Sequence, residues 1–491
     1  MTETIHPSIV AWLALIAWPG VTFALFARLP PPVAAAASIL GGELLLPELI
    51  SFDVEGFPSL DRTSIACVSA LAASFVFDRR ALRGRLPGTG IETLAVVLVL
   101  GAFLTALANP DPVAVGGFVL PGMTLYDGLS AATEIILTIW LPFFLGRALY
   151  RHSDDVWLLL GVLAFAMLAY SPLVLVELRL SPQLHRWVYG YHQHQFLQTF
   201  RGSGWRPMVF MAHGLTLAQF VLFGAAAAVG LWRARRSALG IPSAPIAVYL
   251  SALLLAMKSL GAVLYGAIML PLLALLRPVW HLRLASLLAL AVFAYPVARG
   301  FDVFPTGALL SGAARVSTER ELSLGFRFDN EKILLDHARE RLALGWGIFG
   351  RHRVRDPQTG ADLSVTDGYW IITLGMQGVL GLVATFGLLL GPIWLATAAG
   401  RAFRTVEDRL AVGILAWLVA ISGANLLPNA DFTPFILLMA GALAGVTEAA
   451  RAARRADARE ARRRRRAEDT SQRTAPPREA EAKSAASVRA S

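Results

Sequence analysis

The sequence predicts an all-α membrane protein, a polytopic bundle of about thirteen spanning helices with one long outer loop. Three observations predict it. Of 491 residues, 56% are hydrophobic and only 16% are charged, and mean hydropathy is +0.57. Soluble domains carry roughly 25% charged residues, so a soluble enzyme and a disordered chain are both poor readings. Second, the apolar residues fall in runs of about 20, the length that crosses ~30 Å of hydrocarbon as a helix. The runs are apolar all round rather than alternating, which argues against a transmembrane barrel. Third, Lys and Arg gather in every second connection. The single cysteine, Cys67, lies inside an apolar run, so no internal disulfide framework exists.

Taken in order, the spans lie near 8–27, 31–47, 60–77, 91–108, 126–148, 155–175, 207–232, 243–257, 260–276, 283–297, 369–395, 409–427 and 432–450. The first lacks a basic leading region and a small-residue cleavage site, and reads as a retained span. With thirteen spans, the basic connections fall on one side: Arg79, Arg80, Arg83 and Arg85; Arg147 and Arg151; Arg233, Arg235 and Arg236; Arg277 and Arg283; Arg401, Arg404 and Arg409; and the tail. The positive-inside rule makes that side cytoplasmic and places the amino terminus outside. Connections 48–59, 109–125 and 428–431, on the other side, contain no Lys or Arg.

The net charge of +10 divides accordingly. Residues 451–491 hold 13 Arg/Lys against 6 Asp/Glu, a balance of +7, which leaves +3 for the other 450 residues. Segment 451–466, with the run Arg462–Arg466, reads as a helical extension beside anionic headgroups, a topology anchor rather than a nucleic-acid site. Residues 467–491 read as disordered.

Two outer connections break the charge rule. Residues 176–206 contain Arg179, Arg186, Arg201 and Arg206, and residues 298–366 contain nine arginines from Arg299 to Arg355. An anionic ligand at the outer face explains them; so does the translocation of long loops regardless of charge, since acids nearly balance the second set. Within 298–366 an amphipathic helix is expected. Asn330 stands as its N-cap, Glu331 in its first turn, Ile333, Leu334, Ala338 and Leu342 form its apolar stripe, and Gly345 and Gly347 stop it.

Few residues in the apolar body could carry chemistry. Lys258, one of three lysines, sits between two apolar runs in Ala256-Met257-Lys258-Ser259-Leu260-Gly261. It either serves a site or snorkels to the surface, and the following helix N-terminus favours phosphate. In Phe200-Arg201-Gly202-Ser203-Gly204-Trp205-Arg206-Pro207, two guanidinium groups suit a diphosphate through bidentate bonds, or face lipid headgroups. Gly202 and Gly204 permit close backbone approach, and Pro207 suits the first turn of the seventh span. His213 would lie about two turns into that span as a hydrogen-bonded core histidine. Asp367, at the mouth of the eleventh span, reads either as a general base or as that span's N-cap. His185, His192 and His194 are a weak metal signal, because no Cys or carboxylate completes a set. Glu43 and Glu134 are carboxylates inside spans, suited to a proton path or to helix–helix hydrogen bonds. No glycine-rich phosphate loop and no DxD pair is present, so a transferase here takes a lipid-linked rather than a nucleotide-linked donor.

Three stretches together resemble the O-antigen ligase and O-antigen/exopolysaccharide polymerase superfamily of bacterial inner-membrane proteins. They are Arg201 to Gly214; Lys258-Ser259-Leu260-Gly261; and the outer loop with Arg327-Phe328-Asp329-Asn330, Gly345-Trp346-Gly347 and Asp367 to Gly381. The resemblance implies metal-independent, inverting transfer of a glycan from undecaprenyl diphosphate to an acceptor hydroxyl at the periplasmic face, without a cofactor or nucleic-acid partner. It implies that Arg201 or Arg206, with Lys258 and Arg327, binds the donor, with His213 beside them, and that Asp367 stands where the ligases have a histidine base. That difference favours a polymerase, or a ligase for another acceptor, over a ligase for lipid A–core. Alternatives of other classes are a glycolipid flippase or transporter and a non-catalytic component of polysaccharide export.

Overall fold

The computed structural model describes residues 5–53, 59–83, 88–201, 204–315 and 317–474, without the side chains of Arg201 and of 468, 469 and 471–474. Arg85, Gly202, Ser203 and residues 475–491 lie outside the described residues. The chain is an all-α, multi-pass membrane bundle. A helix stands at every predicted span: α1 Ile9–Arg28, α2 Pro31–Leu45, α3 Arg62–Phe77, α4 Thr93–Leu107, α5 Leu125–Leu149, α6 Ser153–Leu180, α7 Gly214–Arg233, α8 Ser243–Ala256, α9 Leu260–Leu275 and α10 Pro278–Gly300. After the loop helix α11, Thr318–Arg339, come α12 Tyr369–Ala398, α13 Val406–Asn425 and α14 Pro434–Thr474. Among the described residues, eight helices are long and apolar enough to cross a membrane unaided. Helices α2, α3, α8 and α9 are shorter, 14 to 16 residues, or about 21–24 Å at 1.5 Å per residue.

Helix α7 forms the centre, with 94% of its apolar window buried. Its small residues let neighbours approach: a Cβ on Gly224 would meet the Met167 side chain at 2.6 Å. At one end of the bundle, arginines are locked in ion pairs. Arg147 lies between Glu92 (2.9 Å) and Glu448 (3.0 Å), and Arg236 between Asp154 and Glu407 (3.0 Å each).

The opposite end holds the long connections, including two small hairpins, β1 Val113–Val115 with β2 Phe118–Leu120 and β3 Phe200–Arg201 with β4 Gly204–Trp205. The loop helix differs from its expected form. Ser317, not Asn330, is the N-cap of α11, accepting from the Arg320 N–H. Asn330 sits mid-helix, where its side chain bonds the Phe326 carbonyl (2.8 Å). The buried face is Asn330, Glu331, Leu334, Leu335 and Ala338, while Ile333 and Leu342 are exposed. The polar pair at 330–331 is the reason: its hydrogen bonds lie inside the protein, which turns the helix away from the purely apolar stripe.

Helix α11 stops at Arg339, before the glycines expected to end it. Gly345 (φ 72°) and Gly347 (φ 79°) instead dock into a break in α12 at Gly378 (φ 67°, ψ −167°). There Trp346 and Gly347 N–H groups donate to the Gly375 and Met376 carbonyls (2.8 and 2.9 Å), and the Val379 N–H donates to the Leu342 carbonyl (2.8 Å). A break inside a membrane helix is tolerated when its freed backbone groups find such partners.

Candidate functional site

The site region has two halves. The first is built on a strap, residues 206–213, that runs non-helically into the bundle. Here the seventh span differs from expectation: α7 begins at Gly214, so Pro207 is not in its first turn. Met208, Val209 and Met211 are at most 1% exposed, so their backbone groups need internal partners. The Glu177 carboxylate of α6 accepts from the N–H groups of Met208 (2.8 Å) and Val209 (2.7 Å), and the Tyr170 hydroxyl accepts from Phe210 N–H (3.2 Å). The Gln193 amide donates to the carbonyls of Val209 (3.0 Å) and Met211 (3.2 Å), and Arg62 donates to that of Phe210 (3.2 Å). The apolar letters of 207–212 read as helix; the distant Glu177 that captures their amides is not legible locally.

His213 is therefore not two turns inside a helix. It is the N-cap of α7, its Nδ1 accepting from the Leu215 N–H (3.0 Å), with its ring 4.9 Å from that of His194. Gly214 makes room for the folded stem of Arg206, since a Cβ there would meet Arg206 Cγ at 2.5 Å. Arg206 Nη2 donates to the Lys258 carbonyl (3.0 Å). Lys258 takes a left-handed backbone (φ 50°) between α8 and α9, and Ser259 is the N-cap position of α9. The Lys258 ammonium lies over Gly204, 2.5 Å from where a Cβ would stand. The fold thus joins Gly204, Arg206 and Lys258 from two separate connections. Arg201 is paired through its backbone with Gly204. His192 is tied to its own loop through the carbonyls of Pro182 (3.0 Å) and His194 (2.5 Å).

Asp431 also belongs to this half, and its role is not legible in the sequence beyond being the only acid in the short connection before α14. Its Oδ1 accepts from Thr216 (2.8 Å). Burial pushes its carboxyl up, opposed by hydrogen bonds from Thr216 and Asn425 and by the charge of Arg206.

The second half lies under α11. A cavity of about 380 Å³ is bounded by α10, α11, the start of α12 and the end of α13, and both Arg327 and Asp367 line it. Arg327 Nε stands 3.7 Å from Asp367 Oδ2, and the two side chains are 36% and 42% exposed. Asp367 is not the N-cap of α12; Gly368 occupies that position. Deeper in the wall sits Glu331, which the sequence presents only as a first-turn acid. Its carboxylate accepts from Tyr295 (2.8 Å), Arg299 (3.1 Å) and Trp370 (3.4 Å). Burial pushes it up, and these donors oppose the shift.

The two halves meet through residues 425–432. Tyr369 N–H donates to the carbonyls of Leu426 (3.0 Å) and Asn429 (3.1 Å), and its ring stacks on Phe432 at 4.5 Å. Asp367 pairs with Arg327, not with Arg206 or Lys258. No protein-family model and no curated protein matches the chain.

Proposed function

We propose that the chain is a bacterial inner-membrane glycosyltransferase of the O-antigen ligase/polymerase type. It takes a glycan from an undecaprenyl diphosphate donor and passes it to an acceptor hydroxyl at the periplasmic face, and polymerisation fits slightly better than ligation. In this reading the end with the long connections is periplasmic and α14 carries its basic segment into the cytoplasm, as the positive-inside rule requires. The observation that carries the proposal is the meeting of Arg206 and Lys258, joined by a 3.0 Å guanidinium–carbonyl hydrogen bond, at the end of the bundle that holds the long connections.

The chemistry follows from the two halves. Arg206 and Lys258 hold the diphosphate and stabilise the charge that grows on it as the bond to the anomeric carbon breaks. Asp367 takes the proton of the acceptor hydroxyl, whose oxygen attacks the anomeric carbon from the opposite face. Undecaprenyl diphosphate leaves, and the configuration inverts. Arg327, 3.7 Å away, steadies the Asp367 carboxylate in the wall of the cavity that both line. The test is purified protein with a defined undecaprenyl-diphosphate oligosaccharide, followed by sizing of the products. A ladder identifies a polymerase and a single transfer a ligase. No transfer by well-folded protein, with carrier-linked glycan moved across vesicles instead, would replace this reading with that of a flippase.

A further inference from the structure

Apart from the two halves above, the same end of the bundle holds a second cavity of about 500 Å³ between the α2–α3 connection and the middle of α5. Glu134 lies nine residues into α5, about 14 Å along a helix axis. An ionisable group at that depth faces a partner or a polar cavity and marks a functional site by default. Among the described residues its carboxylate has no hydrogen-bond or ion-pair partner; it lines the cavity. The other charged walls are already engaged. Arg62 pairs with Glu43 (3.3 Å) and Glu48 (2.5 Å), and Asp61 caps α3. Two residues after Glu134, α5 widens into a π-turn, Ile136–Trp140, whose Leu137 and Thr138 line the cavity; such turns are frequent at functional sites.

The chemistry of this wall selects its ligand. Glu48, Asp61 and Glu134 outnumber Arg62, so the cavity repels phosphate, the reverse of the Arg206–Lys258 pocket. An open carboxylate, the Ser130 hydroxyl and apolar Ile50 and Leu137 suit a neutral sugar ring, whose hydroxyls donate to carboxylate and whose C–H face packs on aliphatic carbon. The volume lies within the ~300–1,000 Å³ common for small-ligand sites. The cavity also adjoins the first half of the site: Arg62, in its wall, donates to the Phe210 carbonyl of the strap that carries Arg206. We propose that this cavity binds a neutral saccharide unit, recognised by Glu134 and Ser130. On the glycan-transfer reading, on which this clause rests, that unit is the acceptor.

The test measures binding without turnover. Full-length protein in detergent is titrated with N,N′-diacetylchitobiose, cellobiose and lactose, followed by saturation-transfer NMR, with inorganic diphosphate as a separate ligand. At least one disaccharide should bind, and Glu134→Ala should weaken it about tenfold, the loss of one charge-assisted hydrogen bond. Glu134→Gln and Ser130→Ala should weaken it by about threefold and serve if the alanine variant fails to fold. Diphosphate binding should be unaffected by Glu134→Ala and reduced by Arg206→Ala. A wild-type protein that binds none of the three disaccharides, or a Glu134→Ala protein that binds them normally, overturns the proposal. Saccharide binding that depends on Glu134 in a protein that performs no transfer keeps this site and removes the enzyme reading. Transfer with an unchanged acceptor KM in Glu134→Ala does the opposite.

Discussion

The strap at 206–213 and the cavity under α11 are built on opposite principles. The strap is buried over 207–211, and most of its backbone groups there are held by side chains from other parts of the chain: Glu177, Tyr170, Gln193 and Arg62. The Asp367–Arg327 pair is half exposed, and its 3.7 Å separation is too long for a hydrogen bond. A diphosphate needs fixed donors that do not reorganise during reaction. A proton acceptor needs room for a nucleophile to arrive and leave. On the proposed reading, the difference suits the rigid half to binding and the open one to proton transfer, and it is this division that substitutions should break.

The largest effect is expected from Asp367→Asn. Removing a general base costs typically about 10²–10⁴-fold in rate. Because Asp367 is partly exposed and only loosely paired, the variant should fold and bind donor normally. Transfer assays alongside size-exclusion profiles check this, and near-wild-type turnover would remove Asp367 from the mechanism.

Next comes Glu177→Ala, which strikes the rigid half. It leaves the Met208 and Val209 amides buried without an acceptor, each at about 1–3 kcal/mol. A drop in thermal midpoint together with weakened donor binding is expected. Glu177→Gln, which keeps an acceptor oxygen, should recover part of both. Were Glu177→Ala to bind donor like wild type, the strap would not be what places Arg206.

These contrasts also explain what the sequence made legible. A helix was readable at each of the thirteen expected spans, because hydropathy is local and additive along the chain. Arg206 and Lys258 were readable as charged residues set beside apolar runs. The strap was not, since Pro207 to Ala212 spell an apolar helix start and only distant side chains, such as Glu177 thirty residues earlier, contradict them. Glu331 was misplaced for a related reason. A helix that buries a carboxylate against Tyr295, Arg299 and Trp370 cannot be phased from its apolar residues alone.

A smaller, pH-dependent effect comes from two histidines in the long connections. The His185 ring accepts from the Glu48 N–H (3.3 Å) and meets the Tyr191 carbonyl (2.9 Å), an arrangement that requires the neutral form. Burial pushes its pKa down to about 4. Burial, helped by Arg353, does the same to His352, also to about 4. The unfolded chain binds these protons near pH 6.5, so between pH 6.5 and 4 the unfolded state holds more protons than the folded one. Stability should therefore be constant above about pH 7 and fall as pH drops through that window, by on the order of 1–3 kcal/mol per histidine. Thermal melts in detergent from pH 7.5 to 4.5 measure it, and His185→Gln should flatten part of the slope.

The smallest effect is expected at Ile333, and by being small it tests the rotation of α11. Were the expected stripe correct, Ile333 and Leu334 would both be core residues. In the structure Ile333 is 41% exposed and Leu334 only 3%. Leu334→Ala should cost about 2–5 kcal/mol, as a buried leucine deletion does, whereas Ile333→Ser should stay within about 0.5 kcal/mol. Equal losses at the two positions would return the helix to its apolar phase and take Glu331 out of the cavity wall. A loss at Leu334 alone fixes the face that carries Arg327 over Asp367, and with it the geometry of the open half.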